Sequence, residues 1–345
     1  MRMATSFAIA LCALAGSFLF AQQAPKKAPK APSTAHALPG AKPSDTSPHQ
    51  VFFIPVAQGV KLEVLDWGGV GRPLVLLPGL GYDAHVYDTF APKLTAHHHV
   101  YGITRRGFGA SSAPEPVNGN YSADRLGDDV LAVMDQLRLD RPVLVGHAKA
   151  GQELSSIGSR HPEKVAGLIY LDAGYSYAFY DSKHGDLLLD TIDLRNKLDL
   201  YLAAGAPDLK QYFNDLQGSL PQFERDVRDF QAELALTPLP ARTAAPPPIM
   251  VALGAGAQKY TEIHAPVLAI FADPHNFGQL YADDPNARKA LVMDDFARTS
   301  AQADAFQAGV PGSHVVRLPN ASHMIFVSNE ADVLREMNAF LAKLP

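Results

Sequence analysis

The sequence predicts an α/β fold: a mostly parallel eight-stranded sheet flanked by helices, with a helical cap inserted late in the chain. Three observations lead there. From residue 51 onward, short apolar runs alternate with amphipathic stretches. Several of those runs are apolar without a break, as strands covered on both faces require. One long stretch, residues 174–262, holds no convincing strand. Strand–helix–strand repetition sets parallel strands side by side with helices on both faces.

Residues 51–55 and 60–67 read as an antiparallel hairpin. Leu74-Val75-Leu76-Leu77 is a continuous apolar strand that Pro78-Gly79 ends, and residues 100–104, 143–145 and 168–171 are similar. Residues 267–271 and 315–318 complete eight strands. Ser122 suits the N-cap of a helix whose Leu126, Val130, Met134 and Leu137 share a face. Ser328 is the expected cap of a last helix with Val333, Met337, Phe340 and Leu344 on one side. Within residues 174–262, helix-like pieces occupy 187–203 and 221–235. Aromatics are dense there: Tyr175, Tyr177, Phe179, Tyr180, Tyr201, Tyr212, Phe213, Phe223 and Phe230. Most would form the interior of the cap, and those facing the sheet would line an apolar pocket.

The 345 residues are 47% apolar and 19% charged, with a formal net charge of -5. That composition excludes a disordered chain, a collagen-like repeat, a small disulfide scaffold and a strongly basic nucleic-acid binder. The single cysteine, Cys12, excludes a cystine framework and a Cys-rich zinc site. Arg2 and the uncharged residues 3–20 have the pattern of a secretory signal peptide, 1–21, cleaved after Ala21 or alternatively Ala15. An N-terminal membrane anchor is the alternative, since a span takes roughly 17–25 residues. Leu11 before Cys12 argues against a lipoprotein. Residues 22–48, rich in Pro, Ala and Lys, predict an extended, disordered linker. Without residues 1–48 the body has a net charge of -9 and no cysteine. Both facts suit an exported protein, periplasmic or secreted, without stable membrane insertion after cleavage.

Four motifs follow in order, each at the carboxyl end of an expected strand. They are Leu77-Pro78-Gly79-Leu80-Gly81, Arg105-Arg106-Gly107-Phe108-Gly109-Ala110-Ser111-Ser112, Val145-Gly146-His147-Ala148-Lys149-Ala150-Gly151 and Asn320-Ala321-Ser322-His323-Met324. Together they resemble the α/β-hydrolase superfamily of the cap-bearing serine-hydrolase type, over residues 51–345. The resemblance implies a core of residues 49–173 and 263–345, a cap of residues 174–262, and catalysis by a nucleophile, a histidine and an acid.

The nucleophile belongs at the tip of a sharp strand-to-helix turn flanked by small residues, here Gly146, Ala150 and Gly151. The tip is Ala148, which has no oxygen or sulfur with which to attack a carbonyl. His323 takes the general-base position. The acid is Asp172, after strand 168–171, or alternatively Asp273, after strand 267–271. The usual spacing after the second of these strands falls nearer His275 or Asn276, and neither is a carboxylate. Backbone N–H groups of Leu80 and Lys149 match the oxyanion hole. Consecutive histidines on a strand alternate faces, so His97, His98 and His99 do not share a metal. No phosphate loop, dinucleotide fingerprint or metalloprotease motif is present. No cofactor and no metal is therefore expected.

The expected function is an ester or acyl hydrolase scaffold that is inactive or nearly so as written. Its ligand would be a small apolar or ester-like molecule, with no nucleic-acid partner. An exported ligand-binding module, or serine-independent base chemistry by His323 and an Asp, are the alternatives.

Overall fold

The structure is a computed structural model and describes residues 48–117, 119–204, 208–236 and 245–345. The expected signal segment and, apart from Pro48, the expected linker lie outside the described residues.

Eight strands form one sheet: β1 (Gln50–Ala57), β2 (Val60–Gly68), β3 (Pro73–Leu77), β4 (His99–Ile103), β5 (Val143–His147), β6 (Gly167–Leu171), β7 (Val267–Ala272) and β8 (His314–Leu318). Their order is β1-β2-β4-β3-β5-β6-β7-β8. β2 pairs antiparallel with β1 and with β4, and every other neighbouring pair is parallel.

The unbroken apolar runs are explained by two cores, one on each face. Alternate residues point to opposite sides of a strand. Val75, Leu77, Leu144, Leu168, Tyr170, Val267 and Phe271 therefore enter one cluster, with Val130 and Met134 of α1 (Ala123–Gln136), Ile157 of α2 (Gly151–Arg160) and Phe306. Leu74, Leu76, Val145, Ile169, Leu171 and Ile270 enter the other, with Phe326, Val333, Met337 and Phe340. A polar residue on either side of these strands would be stranded from water.

Ser122 caps α1 as expected, its Oγ accepting from the Arg125 N–H at 3.3 Å. Ser328 does not cap the last helix. Its Oγ accepts from the Ser322 N–H at 3.0 Å and donates to Asn329 Oδ1 at 2.9 Å. The hydroxyl is thus used to close the loop that carries His323, and Asn329 takes the N-cap position.

Between β6 and β7 lie α3 (Leu187–Ala204), α4 (Leu209–Leu236) and α5 (Pro248–Ala255). Proline favours a helix start, which is why the sequence places one at Pro221. The helix instead runs through Pro221 from Leu209. The preceding turns are held by Tyr212, buried and stacked on Tyr201 with ring centroids 5.3 Å apart. After β7 come α6 (Pro285–Gly309), then α7 (Ile325–Ser328) and α8 (Glu330–Leu341).

Candidate active site

At the carboxyl ends of β5 and β6 two residues without glycine's freedom take left-handed backbone angles. Ala148 has φ 48° and Asp172 has φ 48°. A side chain in that region costs about 1–2 kcal/mol, and such strain collects at functional turns. At Ala148 the chain leaves β5 and turns at once through residues 148–150 into α2. Gly151 is demanded by packing: a Cβ there would lie 2.1 Å from the Ala173 carbonyl oxygen. Gly79 is demanded equally, since a Cβ would meet His147 Nδ1 at 2.8 Å and the Ala148 methyl at 3.1 Å. The loop after β3 therefore lies directly against the elbow.

Arg105 holds that loop. Its Nη2 donates to the Pro78 carbonyl at 3.1 Å, its Nη1 to the Gly79 carbonyl at 3.4 Å, and its Nε to Glu153 on the first turn of α2. In a trans peptide the C=O and the following N–H point opposite ways. The Gly79 carbonyl faces Arg105, so the Leu80 N–H points away from it, free of that guanidinium. The first N–H groups of a helix lack intrahelical partners, and Lys149 lies in the turn of residues 148–150 that leads into α2.

His323 donates from Nδ1 to Asp172 Oδ2 at 2.6 Å. That tautomer leaves Nε2 with the lone pair a base requires. The structure thus brings Asp172, and not Asp273, to the histidine. Asp273 ends β7 on its other side, where Ser300 Oγ donates to it at 2.8 Å and Arg317 Nη1 at 3.0 Å. The His323 carbonyl accepts from His147 Nε2 at 2.9 Å, tying the histidine loop to the residue before the elbow. Burial, then the nearby His323, pushes His147 down to about 3, so it is a neutral donor.

One further group was not legible as a participant. His275 Nε2 donates to the same Asp172 Oδ2 at 2.7 Å, and its Nδ1 donates to Asp295 Oδ1 at 3.0 Å. Tyr175 Oη and the Ala272 N–H hold the other Asp172 oxygen at 2.7 and 3.0 Å. Burial alone would raise the Asp172 pKa, but the charges and hydrogen bonds of His275 and His323 outweigh it and hold the carboxyl well below its usual range. Burial likewise disfavours a charged His275, yet Asp172 and Asp295 on its two nitrogens push it up to about 10. The site is a chain, Asp295–His275–Asp172–His323, in which the partly buried His275 lies between two carboxylates that favour its charged form. The one sequence signal was a histidine at the position where the resemblance expects an acid.

Residues 74–336 match a family model described as alpha/beta hydrolases. The chain belongs to the alpha/beta hydrolase family. Among curated proteins it is similar to a fluoroacetate dehalogenase of Burkholderia sp., 33% identical over 33% of this chain and 38% of that protein. It is also similar to a putative carbamate hydrolase of Caulobacter segnis, 34% identical over 33% of this chain and 43% of that protein. The chain spans less than half the length of these two relatives. Among solved structures, a hydrolase from Pseudomonas aeruginosa aligns with TM-score 0.54 at 21% identity, over 84% of this chain and 98% of its own. A Bacillus megaterium epoxide hydrolase aligns with TM-score 0.54 at 17% identity, over 85% of this chain and 100% of its own. At these identities the structures speak for the fold.

In this alpha/beta hydrolase two groups of side chains have metal-ligating types close together among the described residues: Asp172 with His275 and His323, and His49 with His85 and Asp88. In the first, the 2.6 and 2.7 Å separations are hydrogen-bond lengths. A tetrahedral ion with bonds of about 2.1 Å spaces its ligands at about 3.4 Å, so protons rather than a metal bridge these groups. In the second, His85 Nδ1 contacts Asp88 Oδ2 at 3.1 Å. Of the three consecutive histidines, His99 is stacked on Tyr101 at 4.4 Å with its Nε2 2.8 Å from Asp66 Oδ1, and His98 Nδ1 lies 3.3 Å from the Arg72 carbonyl.

The cap carries its own buried acids. Asp186, Asp190 and Asp226 are 8, 3 and 2% exposed. Lys259 Nζ and Tyr180 Oη donate to Asp190 at 2.6 and 2.9 Å, and Gln222 donates to Asp226 at 2.6 Å. Burial, then the bond to Asp190, pushes Asp226 up to about 7. A carboxyl raised above its unfolded value of about 3.9 adds stability fully below that value and loses it as pH rises to the folded value. Asp226→Asn is therefore expected to gain stability relative to wild type as pH rises from 4 to 7. Urea unfolding of both proteins across that range measures the difference, and a pH-independent difference would sink the assignment.

Proposed function

We propose that this chain is a small-molecule ester or acyl hydrolase site that lacks its nucleophile, and that it binds such ligands while turning them over negligibly. The observation that carries this is Ala148 at the elbow tip, held in a left-handed conformation beside Gly79. Strained non-glycine backbone of this kind collects at functional turns, which supports the reading. The His323–Asp172 hydrogen bond and the packing of the Gly79 loop against Ala148 also support it.

The test is an active-site-directed phosphonate probe on this chain and on Ala148→Ser. Labelling of the variant alone supports the reading, and a folded but unlabelled Ala148→Ser overturns it. The half-buried Tyr175 and Tyr177 beside Asp172, with Lys149 on Tyr177, favour a second reading as an exported ligand-binding module. Thermal stabilisation by a carboxylic ester or acid supports that one. Base chemistry by His323 and Asp172 alone would show as activity in the chain as it stands that His323→Ala abolishes. On this reading the protein is exported through its first 21 residues. No helix among the described residues is long and apolar enough to cross a membrane.

A further inference from the structure

Beside the empty nucleophile position stands a nucleophile of another kind. Lys149 follows Ala148 and is half-buried. Its Nζ lies 4.5 Å from the centre of the Tyr177 ring. The Tyr177 ring lies 6.0 Å from the ring of Tyr175, whose Oη donates to Asp172 Oδ1 at 2.7 Å, which sets Tyr177 on the side of the site that holds the acid. Glu153 and Asp186 reach Lys149 through their charge, while the Glu153 carboxylate bonds Arg105. This differs from Lys259, whose Nζ is bound between Asp190 at 2.6 Å and Asp193 at 3.1 Å.

We propose that Lys149 captures aldehydes and ketones covalently, forming an imine at the elbow. A ligand carbonyl lying over the Ala148 methyl would have an amine beside it where a serine enzyme has a hydroxyl. The amine lone pair forms the C–N bond as the carbonyl π pair moves to oxygen. One amine proton passes through His323 to that oxygen, giving a neutral carbinolamine. The nitrogen lone pair then forms C=N as the oxygen leaves with a proton, and the second amine proton is lost. The products are the Lys149 imine and one water, so no oxidant or reductant is needed.

Burial favours the neutral amine and lowers Lys149 to about 8 against the charges of Glu153 and Asp186. At pH 7 about 10% of such an amine is neutral, against well under 0.1% of an ordinary lysine. The Tyr177 face orients Nζ and favours the ammonium form, so the pH at which capture sets in is the direct measure of the balance. The aromatic wall of Tyr175 and Tyr177 suits an apolar or aromatic carbonyl compound.

The experiment treats the full chain with benzaldehyde and sodium cyanoborohydride at pH 6 to 10, then maps modified lysines by peptide mass spectrometry. The expected result at pH 7.5 is at least ~10-fold more benzylation at Lys149 than at the exposed Lys210 and Lys343, levelling off above pH 8. Lys149→Arg keeps the cation, removes the nucleophile, and should lose this label alone. Should that variant fail to fold, the wild-type profile still decides. Labelling of Lys149 at or below the level of Lys210 and Lys343, or rising with them up to pH 10, overturns the inference. Phosphonate labelling of Ala148→Ser is independent of this outcome, so either reading can fail without the other.

Discussion

Ala148→Ser is expected to raise kcat for a simple ester by up to about 10⁶, the factor that loss of a serine nucleophile costs in a complete triad. The present chain should retain at most the roughly 10³–10⁴ over water that binding and oxyanion stabilisation supply. The variant is expected to fold. Ala148 already holds a Cβ at φ 48°, so serine adds one hydroxyl and no new backbone strain. His323 donates from Nδ1 to Asp172, which leaves Nε2 to take the serine proton. Hydrolysis of p-nitrophenyl acetate by wild type, Ala148→Ser and Ala148→Ser with His323→Gln checks this. The double variant should fall back to the wild-type rate, because nucleophile and base act as one unit. A folded Ala148→Ser with the wild-type rate would remove the hydrolase reading.

His275→Gln is expected to cost about 3–5 kcal/mol of stability at neutral pH, the usual result of removing one partner from a buried charge pair. Two carboxylates would be left facing each other, since Asp172 is 0% and Asp295 6% exposed. The pH dependence identifies the cause. His275 is pushed up to about 10 in the folded chain, against about 6.5 for an unperturbed histidine. Its contribution is therefore full below about pH 6.5 and is lost as pH rises through 10. The gap between wild type and variant should be largest at pH 6 and small above pH 10. Asp172 has the opposite sign. Its depressed pKa gives stability that is present above about pH 4 and falls away in acid. Urea unfolding of both proteins at pH 6, 8 and 10 measures the gap, and a gap constant across that range would show that His275 is not the cation.

The eight strands were legible because each is covered on both faces, and an unbroken run such as Leu74-Val75-Leu76-Leu77 has few other uses. Ala148 was singled out by the small neighbours that a sharp turn needs at fixed spacing, and His323 by the motif Asn320-Ala321-Ser322-His323-Met324 after the last strand. Two kinds of feature were not. Ser328 satisfies the cap pattern locally, yet its hydroxyl is drawn to Ser322 across the loop. Pro221 looks like a start, yet the turns before it are held by aromatic stacking. In each case a local preference of about 1 kcal/mol was outweighed by tertiary contact.

The sequence by itself determined the sheet and its two apolar faces, the family, and the sharp turn at Ala148 that follows β5. These are properties of residue type and short-range spacing. Only the tertiary structure decided that Asp172, and not Asp273, faces His323. Both acids end strands, Asp172 after β6 and Asp273 after β7, and the choice depends on which partners each carboxylate meets: His275 and His323 for Asp172, Ser300 and Arg317 for Asp273. Only the structure placed the His275–Asp295 pair behind that acid, because residues 172, 275, 295 and 323 meet only through the parallel pairing of β6, β7 and β8. Spacing along one chain says nothing about a carboxylate shared between two histidines, whereas the register of three strands fixes it.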